Sequence, residues 1–384
     1  MRVAVYTDYS YHREDGEIYA ERAFALFLAA LRVHFESLTL VGRLGQEGSQ
    51  ARYPVGPGVE LVALPFYSNL TRLGQALPSF ARSLRIFWRA LANVDCVWLL
   101  GPHPLALAFA ALALARRRRV VLGVRQDMPA YVRNRHPRRP WMWLAAWLLE
   151  AAFRAVGLLT PVVTVGPELA RNYRHSRELM EITVSLVHER HVVPLEEALE
   201  RSFDGELRVL AVGRLEQEKN PLVLADALAV LNEGSNRWRL VVCGEGDLAP
   251  ALEARLACLG QDGRAELMGY VPFGPQLLDV YKSSHVLLHT SWTEGLPGIF
   301  PEAFAAGLPV IAADVGGIAR ALGDAVVLVP PGDAPAAARA AQSLASDEDL
   351  RARTVRAGHE YVAQHTIELE TRNLARFLRG SEEA

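Results

Sequence analysis

The sequence predicts an α/β protein made of two doubly wound parallel-sheet domains facing each other across a cleft. Three observations carry that expectation. At 384 residues the chain exceeds one ordinary hydrophobic core, so two domains of roughly 150–200 residues are expected. Short apolar runs alternate with longer stretches of helical period, as parallel strands and their crossover helices do. The alternation occurs twice, on either side of a polar segment at residues 194–206 that reads as the interdomain connection.

Strands buried on both faces read as unbroken apolar runs. In residues 1–193 such runs fall at 3–7, 37–41, 59–64, 94–100, 120–124 and 162–165, with amphipathic stretches at 19–32 and 77–91. In residues 207–362 they fall at 208–212, 239–243, 265–268, 286–289, 310–312 and 325–329. Helical stretches separate them at 221–232, 248–259, 275–281, 301–306 and 334–345, and residues 363–384 hold a last helix at 368–379. Ligand sites of such sheets lie at the carboxyl ends of strands.

Composition narrows the function classes. Hydrophobic residues make up 51% and no low-complexity tract occurs, a globular balance. A net charge of −2 gives no global field to gather nucleic acid or an anionic membrane. The three cysteines, Cys96, Cys243 and Cys258, lack metal-ligand spacing and read as buried thiols of a reducing compartment. The opening MRVAVYTD reads as a buried strand rather than a leader. The longest apolar stretch, 141–165, is interrupted by Glu150, Arg154 and Pro161, so it is a poor membrane span. A cytoplasmic location is expected.

The most informative segment is SWTEGLPGIFPEAFAAGLPVIAADVGG, residues 291–317. Glu294 ends a loop, and Gly295, Leu296, Pro297, Gly298 and Ile299 follow with little side chain at three positions to block a ligand. Pro301 suits a first helical turn, where its missing N–H costs nothing, and Gly307 suits the end of that helix. A glycine-rich loop feeding a helix start points bare amides at an anion such as phosphate. Glu294 and Glu302 flank that place, and carboxylates beside phosphate need hydroxyl donors, so sugar and ribose are natural partners.

Residues 207–228, LRVLAVGRLEQEKNPLVLADAL, come next. A buried strand ends at Gly213, followed by Arg214 and, five residues on, Lys219. Lysine occurs only at 219 and 282, in a chain whose other basic residues are arginine. Two cations at a strand end can neutralise a diphosphate leaving group without metal. Asn220 and Pro221 read as N-cap and first-turn proline.

With GRL and its lysine, VVCGEGDL, ELMGYVP and the two glutamates of EGLPGIFPEAFAAGLPV in order over residues 207–317, the second half resembles the nucleotide-binding domain of retaining GT-B glycosyltransferases. The resemblance is to the large glycosyltransferase family 4-like group that includes sucrose synthases and bacterial mannosyltransferases. It implies a nucleotide-diphosphate sugar, UDP- or GDP-linked, as donor, with no metal or other cofactor. It implies that Arg214 and Lys219 grip the diphosphate and that Glu302 holds the ribose. Glu294, with the amides of 296–299, would contact the donor sugar and phosphate. The base would lie near Met268, Tyr270 and Val271, with Gly213 and Gly244 close by. The last helix would return to the first domain, and the anomeric configuration would be retained, with the leaving phosphate taking the acceptor proton. Other activities on the same fold, an epimerase or a phosphorylase, and a non-catalytic subunit keeping the nucleotide pocket are the alternatives.

Two motifs compete. Gly244, Gly246 and Ala249 formally fit a G-x-G-x-x-A dinucleotide fingerprint, but they follow the second strand of their domain rather than the first. Asp347 and Asp349 have D-x-D spacing, yet after Ser346 they read as an acidic helix start rather than a metal site.

The first half departs from the family pattern. Gly16 alone stands where relatives carry paired glycines, and VLGVRQDMP offers Arg125, Gln126 and Asp127 where relatives place a histidine. His103, Arg125 and Asp127 are therefore the acceptor-side candidates, each with an ordinary loop or N-cap role as the alternative. The arginines of 133–139, followed by Trp141, Trp143 and Trp147, read either as a solvated loop before a core helix or as peripheral contact with the inner face of the membrane.

Overall fold

The computed structural model describes residues 1–14, 16–45, 53–66, 73–136, 138–233 and 237–380, and of 73–77 and 134 the backbone only. It divides into two units, Met1–Val184 with Ile367–Ala384, and Ser185–Thr366.

The first unit is built on β1 (Arg2–Glu14), β2 (Glu17–Ala20), β3 (Ser37–Leu44), β4 (Tyr53–Pro54), β5 (Val59–Leu64), β6 (Cys96–Gly101), β7 (Arg119–Val124), β8 (Val162–Val165) and β9 (Leu179–Ile182). Its parallel strands run β5-β3-β1-β6-β7-β8-β9. Val3, Ala4, Val5, Tyr6 and Thr7 of β1 are all buried, as a strand covered on both faces requires. The sequence places a helix from residue 19, but residues 17–20 pair antiparallel with the far end of β1, and the helix begins at Phe24. Gly16, at φ 84°, sits between the paired Glu14 and Glu17 of that hairpin. It turns a hairpin and feeds no helix, and its positive φ is sufficient reason for a glycine there. The last helix, Ile367–Arg379, packs in this unit against the helix Phe24–Leu31. Arg119 Nη2 donates to Phe377 O at 3.1 Å, and Arg379 donates to the His34 carbonyl. Residues 381–384 lie outside the described residues.

The second unit holds β10 (Leu207–Val212), β11 (Trp238–Cys243), β12 (Ala265–Gly269), β13 (Val286–His289), β14 (Val310–Ala313) and β15 (Val326–Val329). They form one parallel sheet in the order β12-β11-β10-β13-β14-β15. That order reverses direction between β10 and β13, the switch point where an open parallel sheet leaves a crevice. Alanines 334, 337, 338 and 341 bury one face of the helix Ala334–Ser346, and their small side chains let it pack closely on Leu222–Leu231.

Residues 194–206, read from the sequence as a connection, lie within the second unit, whose boundary falls at Ser185. The physical reason is that the segment is tied down. Ala198 of the helix Leu195–Leu199 packs with Val193 and Val355. Arg201 donates to Ser284 O and Ala306 O, each at 2.7 Å, satisfying carbonyls at the ends of two helices.

Candidate active site

A pocket of about 300 Å³ opens at the switch point of the second unit, lined at its floor by Ala211, Val212, Val242 and Leu288. Gly213, Arg214 and Lys219 from the β10 end, His289, Thr290, Ser291 and Glu294 from the β13 end, and Pro297, Gly298 and Ile299 complete it. The two loops are locked together: Thr290 Oγ1 donates to Lys219 O at 3.0 Å and Trp292 N to Glu218 O at 2.9 Å.

Between β10 and the helix Leu222–Leu231 the chain makes a 3-10 turn, Gln217–Lys219, that ends on Asn220 in the left-handed region at φ 52°. The expected N-cap at Asn220 is not formed; Pro221 takes the cap position and no side chain caps the helix. Asn220 instead reverses the chain, a conformation asparagine tolerates better than most residues, and so presents Lys219 to the pocket. Arg214 is held between carboxylates of its own loop, Glu216 and, at 2.9 Å, Glu218.

Glu294 is the electrostatic centre. Its Oε1 meets Lys219 Nζ in an ion pair, accepts from Ser291 Oγ at 2.8 Å and lies 3.4 Å from His289 Nε2. Burial raises its pKa, but the Lys219 charge first and then the His289 hydrogen bond outweigh burial and leave it at about 2. The carboxylate is therefore ionised across the physiological range. Sequence reasoning missed His289, Ser291 and Thr290. His289 is the last residue of an apolar strand, the same strand-end signal that singled out Arg214. Gly316 was missed as well: a Cβ there would lie 2.2 Å from Glu294 O, so the loop after β14 braces the glutamate's backbone.

Glu302, in the helix Ile299–Ala305, is buried and does not line the pocket. Tyr281 donates to its Oε2 at 2.8 Å, yet burial dominates and raises its pKa to about 7. The two glutamates are thus opposite in state, one pinned ionised and one poised to titrate near neutrality. Gly307 closes that helix at φ 67°. Met268 and Tyr270 are half-buried and Val271 is buried at the end of β12, two strands from β10, which is about 10 Å at ordinary strand spacing.

Gly244 is packed against the neighbouring loop. A Cβ there would lie 1.8 Å from Gly213 O, and one on Gly246 2.4 Å from Leu215 O. Leu215 N donates to Glu245 O at 2.8 Å, so both glycines of the formal fingerprint serve the approach of one loop backbone to the next. Gly244→Ala should accordingly destabilise the second unit by at least about 1–3 kcal/mol through overpacking, read as a lowered thermal midpoint.

The first-unit candidates have structural occupations. His103 caps the helix Pro104–Ala115, its Nδ1 accepting from Leu105 N at 3.2 Å and lying 2.9 Å from the Tyr6 hydroxyl. Burial lowers its pKa to about 4. Asp127 caps the helix Met128–Arg135, accepting from Ala130 N at 2.8 Å. Arg125 pairs with Asp8 at 2.9 Å, bonds the Tyr9 hydroxyl and stacks on the Tyr9 ring. Asp347 likewise caps a helix, at 2.9 Å to Leu350 N. Among the described residues no group of three His, Cys, Asp or Glu is arranged to hold a metal ion.

A parallel sheet in this order, with Arg214, Lys219 and Glu294 lining a pocket at its switch point, defines a doubly wound α/β protein with a charged site at its carboxyl edge. Residues 196–361 match the family described as glycosyl transferases group 1. A 2-deoxystreptamine glucosyltransferase of Streptomyces kanamyceticus is 28% identical over 251 residues, 63% of this chain and 63% of that protein. The phosphatidyl-myo-inositol mannosyltransferase of Mycobacterium leprae is 33% identical over 169 residues, 41% of this chain and 42% of that one. The alignments span less than two thirds of either relative. Among solved structures, sucrose-phosphate synthase from Thermosynechococcus elongatus superposes with a TM-score of 0.75 at 18% identity, over 99% of this chain and 98% of its own. HepE of Anabaena in complex with UDP does so at 0.70 and 16%, over 99% and 100%. Residues 196–361 thus resemble the glycosyl transferases group 1 family, and the chain has the GT-B fold of these solved structures.

Proposed function

We propose that the chain transfers a glycosyl group from a UDP- or GDP-sugar to an acceptor hydroxyl, with retention of configuration and without metal. One observation carries the reading: Arg214 and Lys219 stand on one loop at the carboxyl end of β10, facing the pocket that Glu294, Gly298 and Ile299 also line. A diphosphate there has two cations and a helix start against its charge. The acceptor oxygen attacks the anomeric carbon on the face from which the diphosphate leaves. The bond from that carbon to the phosphate oxygen breaks, and the leaving oxygen takes the acceptor proton. Arg214 and Lys219 stabilise the charge that develops on the diphosphate. Glu294, fixed by Lys219 and Ser291, accepts sugar hydroxyls, and the base lies towards Met268 and Val271. Glu302, buried beside the pocket with Oε2 bonded to Tyr281, offers its other oxygen to the ribose hydroxyls. The UDP complex of HepE favours testing UDP-sugars first. The arginines and tryptophans of 133–147 favour peripheral contact with a membrane.

Release of nucleoside diphosphate from a panel of UDP- and GDP-sugars tests the reading. Release is expected, and it should persist in excess EDTA because the two cations do the work of a metal. Complete loss restored by Mg²⁺ or Mn²⁺ would contradict metal independence. Failure to bind or cleave any nucleotide sugar would remove the transferase reading.

A further inference from the structure

We propose that the helix Pro140–Gly157, together with a basic pocket at its carboxyl end, docks on an anionic phospholipid surface, with Arg154, Arg171 and Arg174 meeting lipid phosphate. The inference deepens the peripheral contact proposed above and is independent of the transferase reading. Its starting point is a helix that is apolar on both sides. Ala146, Phe153 and Gly157 are buried in the first unit, with Glu150 the one charged residue among them. On the other side Trp141, Leu144, Trp147 and Leu148 each expose between 54% and 60% of their surface, and Leu158 and Leu159 beyond the helix 57% and 67%. Exposed apolar side chains scattered singly need no explanation, but a contiguous stripe marks a binding surface.

Charge says what covers the stripe. At its carboxyl end a pocket of about 450 Å³ is lined by Arg154, Leu158, Arg171, Tyr173, Arg174 and His175. Arg154 and Leu158 belong to both the helix region and the pocket, so cations and apolar surface are contiguous. Glu150 offsets Arg154 in part, at 3.4 Å. At the amino end Arg133, Arg138 and Arg139 are exposed. That loop is fixed to the helix by the Trp143 indole N–H, which donates to His136 O at 3.0 Å. Of the three tryptophans, Trp143 thus fastens the structure while Trp141 and Trp147 face outward. A stripe with arginines at both ends would set arginine against arginine in a symmetric pair of copies. An anionic bilayer instead takes the stripe at its acyl boundary and the arginines among its headgroups. Among the described residues no helix is long and apolar enough to cross a membrane, so the geometry is that of lying on the surface.

Vesicle flotation of the full chain tests this, with vesicles of phosphatidylcholine and phosphatidylglycerol in equal parts against phosphatidylcholine alone. The chain should bind the mixed vesicles in preference, and less so at high salt. An arginine near an anionic surface is worth about fivefold in partition, so R154Q/R171Q/R174Q should lose at least about tenfold. W141S/W147S should also lose binding. Both variants should keep the thermal midpoint and far-UV circular dichroism of the parent, which report that they fold. Equal binding to the two vesicle types, or variants that bind mixed vesicles as the parent does, would overturn the proposal. So would a dimer that W141S/W147S dissociates, which makes the stripe a contact between copies. Binding of soluble glycerol phosphate without vesicle binding would overturn it too.

Discussion

Lys219→Ala should lower turnover by about 10²–10³, the effect of removing one preorganised charge from a transition state that builds up anion. It should also lower stability. Lys219 and Glu294 have side chains only 26% and 13% exposed, and the lysine is the main influence holding the glutamate ionised. Breaking a buried pair by deleting one partner costs about 3–5 kcal/mol, and the partial exposure of Lys219 discounts that to about 2 kcal/mol. Lys219→Ala/Glu294→Gln should recover much of the stability, because the stranded carboxylate is gone, and none of the turnover. Arg214→Ala should cost comparable turnover but less stability. Its side chain is 38% exposed, and Glu216 and Glu218, which hold it, keep part of their hydration when it is lost. Steady-state transfer and thermal unfolding of the four proteins separate these effects. Near-normal turnover in both single variants would take the cations out of the chemistry.

Much of this site was legible because it is written in strand ends. A buried apolar run has a definite carboxyl end, and in a parallel sheet that end is where ligands bind, so Arg214 and Glu294 could be placed from spacing alone. All six strands of the second unit begin and end within a residue of their expected positions. What escaped depends on pairing that spacing does not encode. The ion pair of Lys219 with Glu294 joins residues 75 apart in sequence, which the sequence presents in two separate motifs. Gly244 looked like ligand-facing space, but its missing side chain is filled by the Gly213 carbonyl of the next loop. In the first unit β1 runs on to Glu14 and folds into a hairpin, because polar residues 8–14 continue a strand that an apolar count ends at Thr7. His103 and Asp127 were ambiguous for a simple reason. A polar side chain at a strand end is also a polar side chain at the next helix start, and at both positions capping takes it.

Glu302→Gln should weaken nucleoside diphosphate and nucleotide sugar alike by tenfold or more, since hydroxyl donors to a carboxylate are worth about 1.5–3 kcal/mol each. Glu294→Gln should spare nucleoside diphosphate and damage transfer, because its partner is the sugar. The two carboxylates also predict different pH behaviour. Glu294, held at about 2, stays ionised and gives no titration between pH 5 and 9. Burial puts Glu302 at about 7, so below that value its carboxyl is neutral and accepts ribose hydroxyls poorly. If the ionised form is the one that binds, affinity for nucleoside diphosphate should be level above pH 7. It should fall about tenfold per unit as pH drops below it, by proton linkage. The ligand's own phosphate titrates nearby, so the comparison that matters is with Glu302→Gln, in which only the ligand's slope should remain. Calorimetric titration of both variants and the parent from pH 5.5 to 8.5 decides it. Loss of nucleoside diphosphate binding in Glu294→Gln with retention in Glu302→Gln would reverse the two assignments. Parallel pH slopes in parent and Glu302→Gln would leave Glu302 a buried partner of Tyr281 and no more.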